Sequence, residues 1–224
     1  MFPEQSADAV RARFLPHLIK GDLDSIRPDV LQFYSQRGVP VADLSQDQAS
    51  TDLQKCLMYI EQHLLIGGGG DGAKAKANAE GGERNDAAMS TTCQRRQIDT
   101  IVAVGAHGGR LDHILSNLST LYTFRHMNIV LCGDGNLTRL IPVGKAIIRP
   151  ARGVEGPSCG LIPLLGPAVA TTRGLKWNLD ESLTMQIGGL VSTSNVLEGG
   201  DVWVETDNDL IWTTELRDAT QKST

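Results

Sequence analysis

No stretch of this chain stays apolar for long. The run of about 18 apolar residues that a membrane span needs occurs nowhere, and the opening MFPEQSADAVRARF has no apolar core of the kind a secretory signal carries. A basic excess is also missing: 21 Lys and Arg stand against 26 Asp and Glu, for a formal net charge of -5. With no basic stripe and no nucleic-acid motif, nothing points to DNA or RNA. Cysteine is scarce and scattered. Cys56, Cys93, Cys132 and Cys159 form no CxxC pair, which argues against a zinc site. Cys56, Cys132 and Cys159 lie in apolar segments and read as buried free thiols, which suits a reducing compartment. A cytoplasmic protein is the expectation. The Gly105, Gly108 and Gly109 run is not GxGxxG and lacks the Walker lysine; it makes a glycine-rich turn of another kind.

What is present has a clear order. With 224 residues, 41% of them hydrophobic, the chain can bury a core as one large domain or two smaller ones. FLPHLIKGD is a short apolar stretch ending in a turn. RPDVLQFYSQRG reads as a helix, with Pro28 near its first turn and Gly38 just past its end. VPVADL is a candidate strand. TDLQKCLMYIEQHLL is the clearest helix: Leu53, Cys56, Leu57, Ile60 and Leu64 recur at helical spacing, and Thr51 with Gln54 makes a capping box. Residues 66–97 are Gly/Ala-rich and polar and read as a disordered surface insertion, since they cannot bury enough apolar surface to offset ordering. IDTIVAVGA then reads as a buried strand, GGRLDHILSNLSTLYTF as a turn and helix, and NIVLCG as another buried strand.

Near-continuous apolar strands separated by helices imply a parallel, Rossmann-like sheet covered on both faces. After about residue 136 no helical period survives. Short segments rich in Val, Ile, Thr and Trp, punctuated by Gly, Pro, Asn and Asp, describe an all-β module. The predicted fold is an N-terminal α/β domain over residues 1–135, interrupted by the 66–97 insertion, followed by a C-terminal all-β sandwich over 136–224.

Three acidic clusters follow predicted strands and precede helices: Asp22 and Asp24, then Asp47 and Asp52, then Asp112. That edge is where α/β proteins bind ligands. Helix N-termini and glycine turns favour phosphate. Carboxylates there become useful when Mg2+ lies between them and the phosphates, and Arg110 can pair with a phosphate through its planar fork. The plainer reading of each aspartate is a helix cap or turn residue.

Four segments in order, GDLDSIRPDV, GGRLDHILSNL, TTRGLKWNL and LVSTSN, closely resemble thiamine pyrophosphokinase of the eukaryotic type, from about Phe14 to Leu216. The resemblance implies an α/β nucleotide-binding domain followed by a thiamine-binding β-sandwich. It implies transfer of the pyrophosphoryl group of ATP to the hydroxyl of thiamine, giving thiamine diphosphate and AMP, with Mg2+ as cofactor. It also implies a homodimer with thiamine at the subunit interface. Carried over by motif, Asp22, Asp24 and Asp52 match metal-site carboxylates, with Asp24, Asp52 and Asp112 the catalytic set. Gln48, Thr51 and Arg110 match substrate contacts. Trp177 matches the tryptophan beside thiamine, and Ser192, Ser194 and Asn195 the β-domain segment at the thiamine pocket.

Two departures stand out. Only 20 residues precede Gly21, without the family's opening strand and ADGGAN-like motif, and Ala49 stands in DQASTD where the family has a carboxylate. They imply an N-terminally short chain. They also leave a second expectation, a non-catalytic thiamine- or nucleotide-binding protein on the same fold, and a third, a metal-dependent phosphohydrolase.

Overall fold

The computed structural model describes residues 6–64 and 98–217. The expected insertion at 66–97, and Cys93 within it, lie outside the described residues. Two compact units result, divided at residues 98 and 99.

The first unit opens with helix α1 (Ala7–Arg13), capped by the Ser6 side chain, an element without apolar periodicity that the sequence pattern does not reveal. Strand β1 (Ile19–Gly21) and strand β2 (Val41–Asp43) pair in parallel, joined through helix α2 (Pro28–Ser35), which starts on its proline. Gly38 terminates that helix with φ 77°, a left-handed conformation open to glycine at no steric cost. Helix α3 (Asp52–His63) carries the predicted capping box, with Thr51 and Gln54 satisfying each other's backbone N–H. It lies against β1: the Cys56 thiol reaches the Lys20 carbonyl at 3.7 Å, and the Lys20 ammonium sits 5.2 Å from the Tyr59 ring centroid.

The second unit contains a six-stranded and a four-stranded sheet. The six-stranded one runs β10-β7-β12-β5-β4-β3, using β3 (Ile101–Val104), β4 (Ile129–Gly133), β5 (Asn136–Ile141), β7 (Glu155–Ile162), β10 (Ser192–Val196) and β12 (Leu210–Leu216). The four-stranded one runs β6-β11-β8-β9, using β6 (Gly144–Ile148), β8 (Ala168–Arg173), β9 (Thr184–Met185) and β11 (Val202–Thr206). Ile141, Leu161, Leu210 and Trp212 from the first sheet and Ile148, Ala170, Met185 and Val204 from the second form one buried cluster, the aligned-sheet core of a sandwich.

β3 and β4 are parallel, with helix α4 (Leu111–Thr123) between them in the chain. β4 and β5 are antiparallel across Asp134–Gly135, both at positive φ, 42° and 75°, as a two-residue hairpin of the Asp-Gly type requires. The large sheet is therefore mixed, with parallel pairing confined to β3–β4. Residue 135, expected as the domain boundary, falls inside this turn. Hydrogen bonding runs unbroken from β3 into β5, and that continuity carries residues from 99 onward into the second unit. β3 was expected to be buried; among the described residues it is the last strand of its sheet, and Val102 and Val104 on it are exposed.

Candidate active site

The first unit brings Asp22 and Asp52 together. Asp22 follows the last residue of β1 and Asp52 opens α3, where a carboxylate also favours the helix dipole. The backbone N–H of Asp22 donates to Asp52 Oδ1 at 3.1 Å. Gly21 makes that approach possible: a Cβ there would lie 2.8–2.9 Å from all three carboxyl atoms of Asp52. Asp24 joins through its backbone, its N–H donating to Asp22 Oδ1 at 3.3 Å, while its side chain is exposed. Leu23, between the two aspartates, takes φ 63°. A branched residue reaches that region only when its surroundings hold it there.

Beneath the carboxylates lies a residue that sequence reasoning passed over. Lys55 is 1% exposed, and its Nζ stands 3.4 Å from Asp52 Oδ1 and 3.9 Å from Asp22 Oδ2. An ammonium taken out of water needs partners, and these two carboxylates supply them. The signal in the sequence was the spacing: Lys55 is three residues after Asp52, one helical turn on. Among the described residues, no group of three or more His, Cys, Asp or Glu side chains is disposed to hold a metal by itself. The paired Asp22 and Asp52 do fit an ion such as Mg2+, which takes one or two carboxylates and completes its shell with water and substrate phosphate.

Gln48 and Thr51 serve the loop before α3. Thr51 caps the helix, and Gln48 Nε2 donates to the Ser45 carbonyl at 2.8 Å. Asp47 organises the same turn, accepting the Ala49 N–H at 3.0 Å and the Ser50 hydroxyl. The hydroxyl of Ser50 and the N–H of Ala49 hold its carboxyl below the ordinary range. The turn at Ala49 therefore has its side-chain hydrogen bond without a carboxylate at that position.

In the second unit, the turn from β3 into α4 contains Gly105, Gly108 and Gly109 at φ 80°, 94° and 73°. Asn117 Nδ2 ties it back to the Ala106 carbonyl at 2.9 Å. Arg110 is the N-cap residue and gives the helix no side-chain cap. Its guanidinium instead grips Asp112 in two-point fashion, Nε to Oδ1 at 3.1 Å and Nη2 to Oδ2 at 2.5 Å. That hydrogen bonding holds the exposed Asp112 carboxyl below its usual range. Burial pushes the His107 imidazole below its ordinary value.

Further along, Trp177 stands 55% exposed on the segment after β8. Its indole carries the Lys176 ammonium 4.6 Å from the ring centroid. The STSN segment forms β10, with a pairing irregularity between Ser192 and Asn195. Ser194 sits in that irregularity, exposed, at φ 56°. Ser192 and Asn195 are buried.

Each unit carries its own candidate residues: a carboxylate pair at a strand edge in the first, and a glycine turn opening a helix and an exposed aromatic face in the second. Residues 5–132 match the family model "Thiamin pyrophosphokinase, catalytic domain", and residues 145–211 match "Thiamin pyrophosphokinase, vitamin B1 binding domain". The chain belongs to the thiamin pyrophosphokinase family. It is 40% identical over 219 residues to thiamine pyrophosphokinase 1 of Oryza sativa subsp. japonica, covering 97% of this chain and 72% of the relative. It is 40% identical over 218 residues to thiamine pyrophosphokinase 1 of Arabidopsis thaliana, covering 96% and 71%. The fold is that of the crystal structure of yeast thiamin pyrophosphokinase, with a TM-score of 0.71 at 22% identity, covering 96% of this chain and 74% of that one.

Proposed function

We propose that the chain is a thiamine diphosphokinase: the hydroxyl oxygen of thiamine attacks the β-phosphorus of ATP, the bond from that phosphorus to the α–β bridging oxygen breaks, and AMP leaves. The observation that carries the reading is the Asp22–Asp52 pair, held together by a buried lysine, in a chain that matches both the catalytic and the vitamin-binding family models. Mg2+ held by Asp22 and Asp52, with Asp24 beside them, would supply neutralisation of the triphosphate charge and polarisation of the reacting phosphoryl group.

The protein's own work is placement and charge. The glycine turn and the N-terminus of α4 offer backbone N–H groups to phosphate, and Arg110 offers a planar fork. Arg110 already lowers the proton affinity of Asp112. Asp24 makes no ion pair among the described residues, and in this reading it takes the hydroxyl proton. The Trp177 face receives the thiamine rings, an attraction of roughly 0.5–2 kcal/mol for a cation on indole. A flat ligand on so exposed a ring needs a second wall, and the partner subunit of a homodimer supplies it. Cys56, Cys132 and Cys159, free thiols among the described residues, suit the cytoplasm, and among the same residues no helix is long and apolar enough to cross a membrane.

The test is incubation with ATP, Mg2+ and thiamine, following AMP and thiamine diphosphate by chromatography. Stoichiometric, thiamine-dependent formation of both is expected. Nucleotide turnover indifferent to thiamine, or binding of thiamine without turnover, would overturn the reading. Trp177→Ala should raise the thiamine KM and leave the ATP KM unchanged, and sedimentation at micromolar protein should report a dimer.

A further inference from the structure

The STSN segment reads from sequence as a row of polar groups for a ligand, yet the buried amide of Asn195 has nothing left to offer one. Its Oδ1 accepts from the backbone N–H of Trp177 at 3.2 Å and of Val196 at 2.9 Å. Its Nδ2 donates to the Trp177 carbonyl at 2.7 Å and to Ser192 Oγ at 3.4 Å. A primary amide has two acceptor and two donor positions, and all four are taken. At 2% exposure the side chain is also sealed from solvent.

We infer that Asn195 is a positioning residue: it grips both backbone polar groups of Trp177 and so fixes where the indole projects, acting on the flat ligand only through that ring. This rests on the proposal that Trp177 receives thiamine. Three further features show a segment built to hold still. Lys176 N–H donates to the Val196 carbonyl at 2.9 Å and Glu198 N–H to the Gly174 carbonyl at 3.1 Å, continuing the zipper on either side of the Asn195 contacts. Asn178 closes the segment on itself, accepting from Leu175 N–H at 3.2 Å and donating to the Leu175 carbonyl at 2.8 Å. Gly174, at φ 91°, lies so near Asp201 that a Cβ would stand 2.5 Å from its carbonyl oxygen. The segment cannot slide or swivel without breaking these contacts. An exposed ring preset in this way loses little freedom on binding, which is where affinity is otherwise lost. Lys176 lies over the indole and leaves the remaining face for the ligand.

The test is a double-mutant cycle with a spectroscopic arm. Asn195→Asp keeps the shape and the acceptor but turns an oxygen toward the Trp177 carbonyl. It should raise the thiamine KM about tenfold while kcat falls less than about threefold and the ATP KM holds, the size expected for losing a short hydrogen bond that acts through one ring. In a Trp177→Ala background the same change should add nothing further. Losses that add would mean Asn195 touches the ligand directly, and equal losses in kcat and both KM values would mean that it only maintains the fold; either overturns the inference. The second arm uses no thiamine. With Trp203→Phe, the remaining indoles are Trp177 and the fully buried Trp212, and Asn195→Asp should add a fast component to the fluorescence anisotropy decay. An unchanged decay overturns the clamp even if the enzyme assay fails. A working clamp with no thiamine turnover overturns the proposed activity instead. Asn195→Ser, read in the same two arms, serves if the aspartate variant does not fold.

Discussion

Replacing Lys55 by Met separates the buried ammonium from its packing, because the unbranched methionine keeps most of the stem. The ammonium lies 3.4 Å from one carboxylate and 3.9 Å from the other. At an effective dielectric of about 20 those distances correspond to gross attractions of about 5 and about 4 kcal/mol. Desolvating the ammonium cancels several kcal/mol of that sum. Breaking a fully buried pair costs about 3–5 kcal/mol, but the Asp52 and Asp22 side chains are 45% and 26% exposed, so water screens them and the net loss should be nearer ~2 kcal/mol. For a chain of this size that is a fall in Tm of about 4–8 °C. Calorimetry in the presence of a chelator would measure it. The variant leaves two adjacent carboxylates with no cation between them, so added Mg2+ should recover most of the lost Tm in Lys55→Met while moving the wild-type value little. A fall that is the same with and without Mg2+ would refute the reasoning and reduce Lys55 to a packing residue. Asp52→Asn combined with Lys55→Met should cost less than the two changes summed.

Gly21→Ala should abolish turnover and lower Tm by a few degrees at most, because the three atoms nearest the added methyl are those of the Asp52 carboxyl group at 2.8–2.9 Å, which it pushes away from Lys55; retained activity would show that the approach of Asp52 to β1 is dispensable. Asp52→Asn should also abolish turnover with the fold intact, as judged by circular dichroism, and an active variant would remove Asp52 from the metal role. The third case concerns pH. Burial opposes ionisation of Glu155, but the Ala151 N–H, the Arg139 guanidinium and the Thr214 hydroxyl outweigh it and hold the carboxyl below its ordinary value of 4.5. A lowered folded value means that the stabilisation is complete above the unfolded value and fades as pH falls through the folded one. Wild-type stability should therefore decline with acid below about pH 4.5. Glu155→Gln, which strands Arg139 2.6 Å from a neutral amide, should be about 2–4 kcal/mol less stable at neutral pH and should lose part of that acid dependence. Urea melts across the acid range read both, and parallel profiles would sink the assignment.

Where a residue acts on its own backbone neighbourhood, its role was legible from sequence. Thr51 and Gln54 cap α3 as a pair, Pro28 opens α2, and Gly38 closes it, because each supplies something the local chain lacks. The strands from β5 onward followed from short β-branched segments and their turn residues. Harder to read was anything decided by a distant partner. Asp134–Gly135 carries the standard two-residue hairpin signal, which a reading by texture passes over, and the turn joins two paired strands. Lys55 was passed over because an amphipathic pattern assigns every lysine to water; the spacing from Asp52 was the local signal, and the second carboxylate, Asp22 after β1, comes from a distant part of the chain. Asn195 was visible as a polar residue, but the partners its amide takes were not. Amide groups suit ligands and backbones equally, and what decides between them is whether a backbone already fills all four positions. The same reasoning divides the candidate site by physical role. Asp24, Arg110 and Trp177 keep atoms free to meet a substrate, whereas Asp22, Lys55, Gly21, Thr51, Gln48 and Asn195 have theirs committed to holding other residues in place. Substitutions in the first group should therefore be read in kinetics alone, and those in the second in kinetics together with stability or local motion.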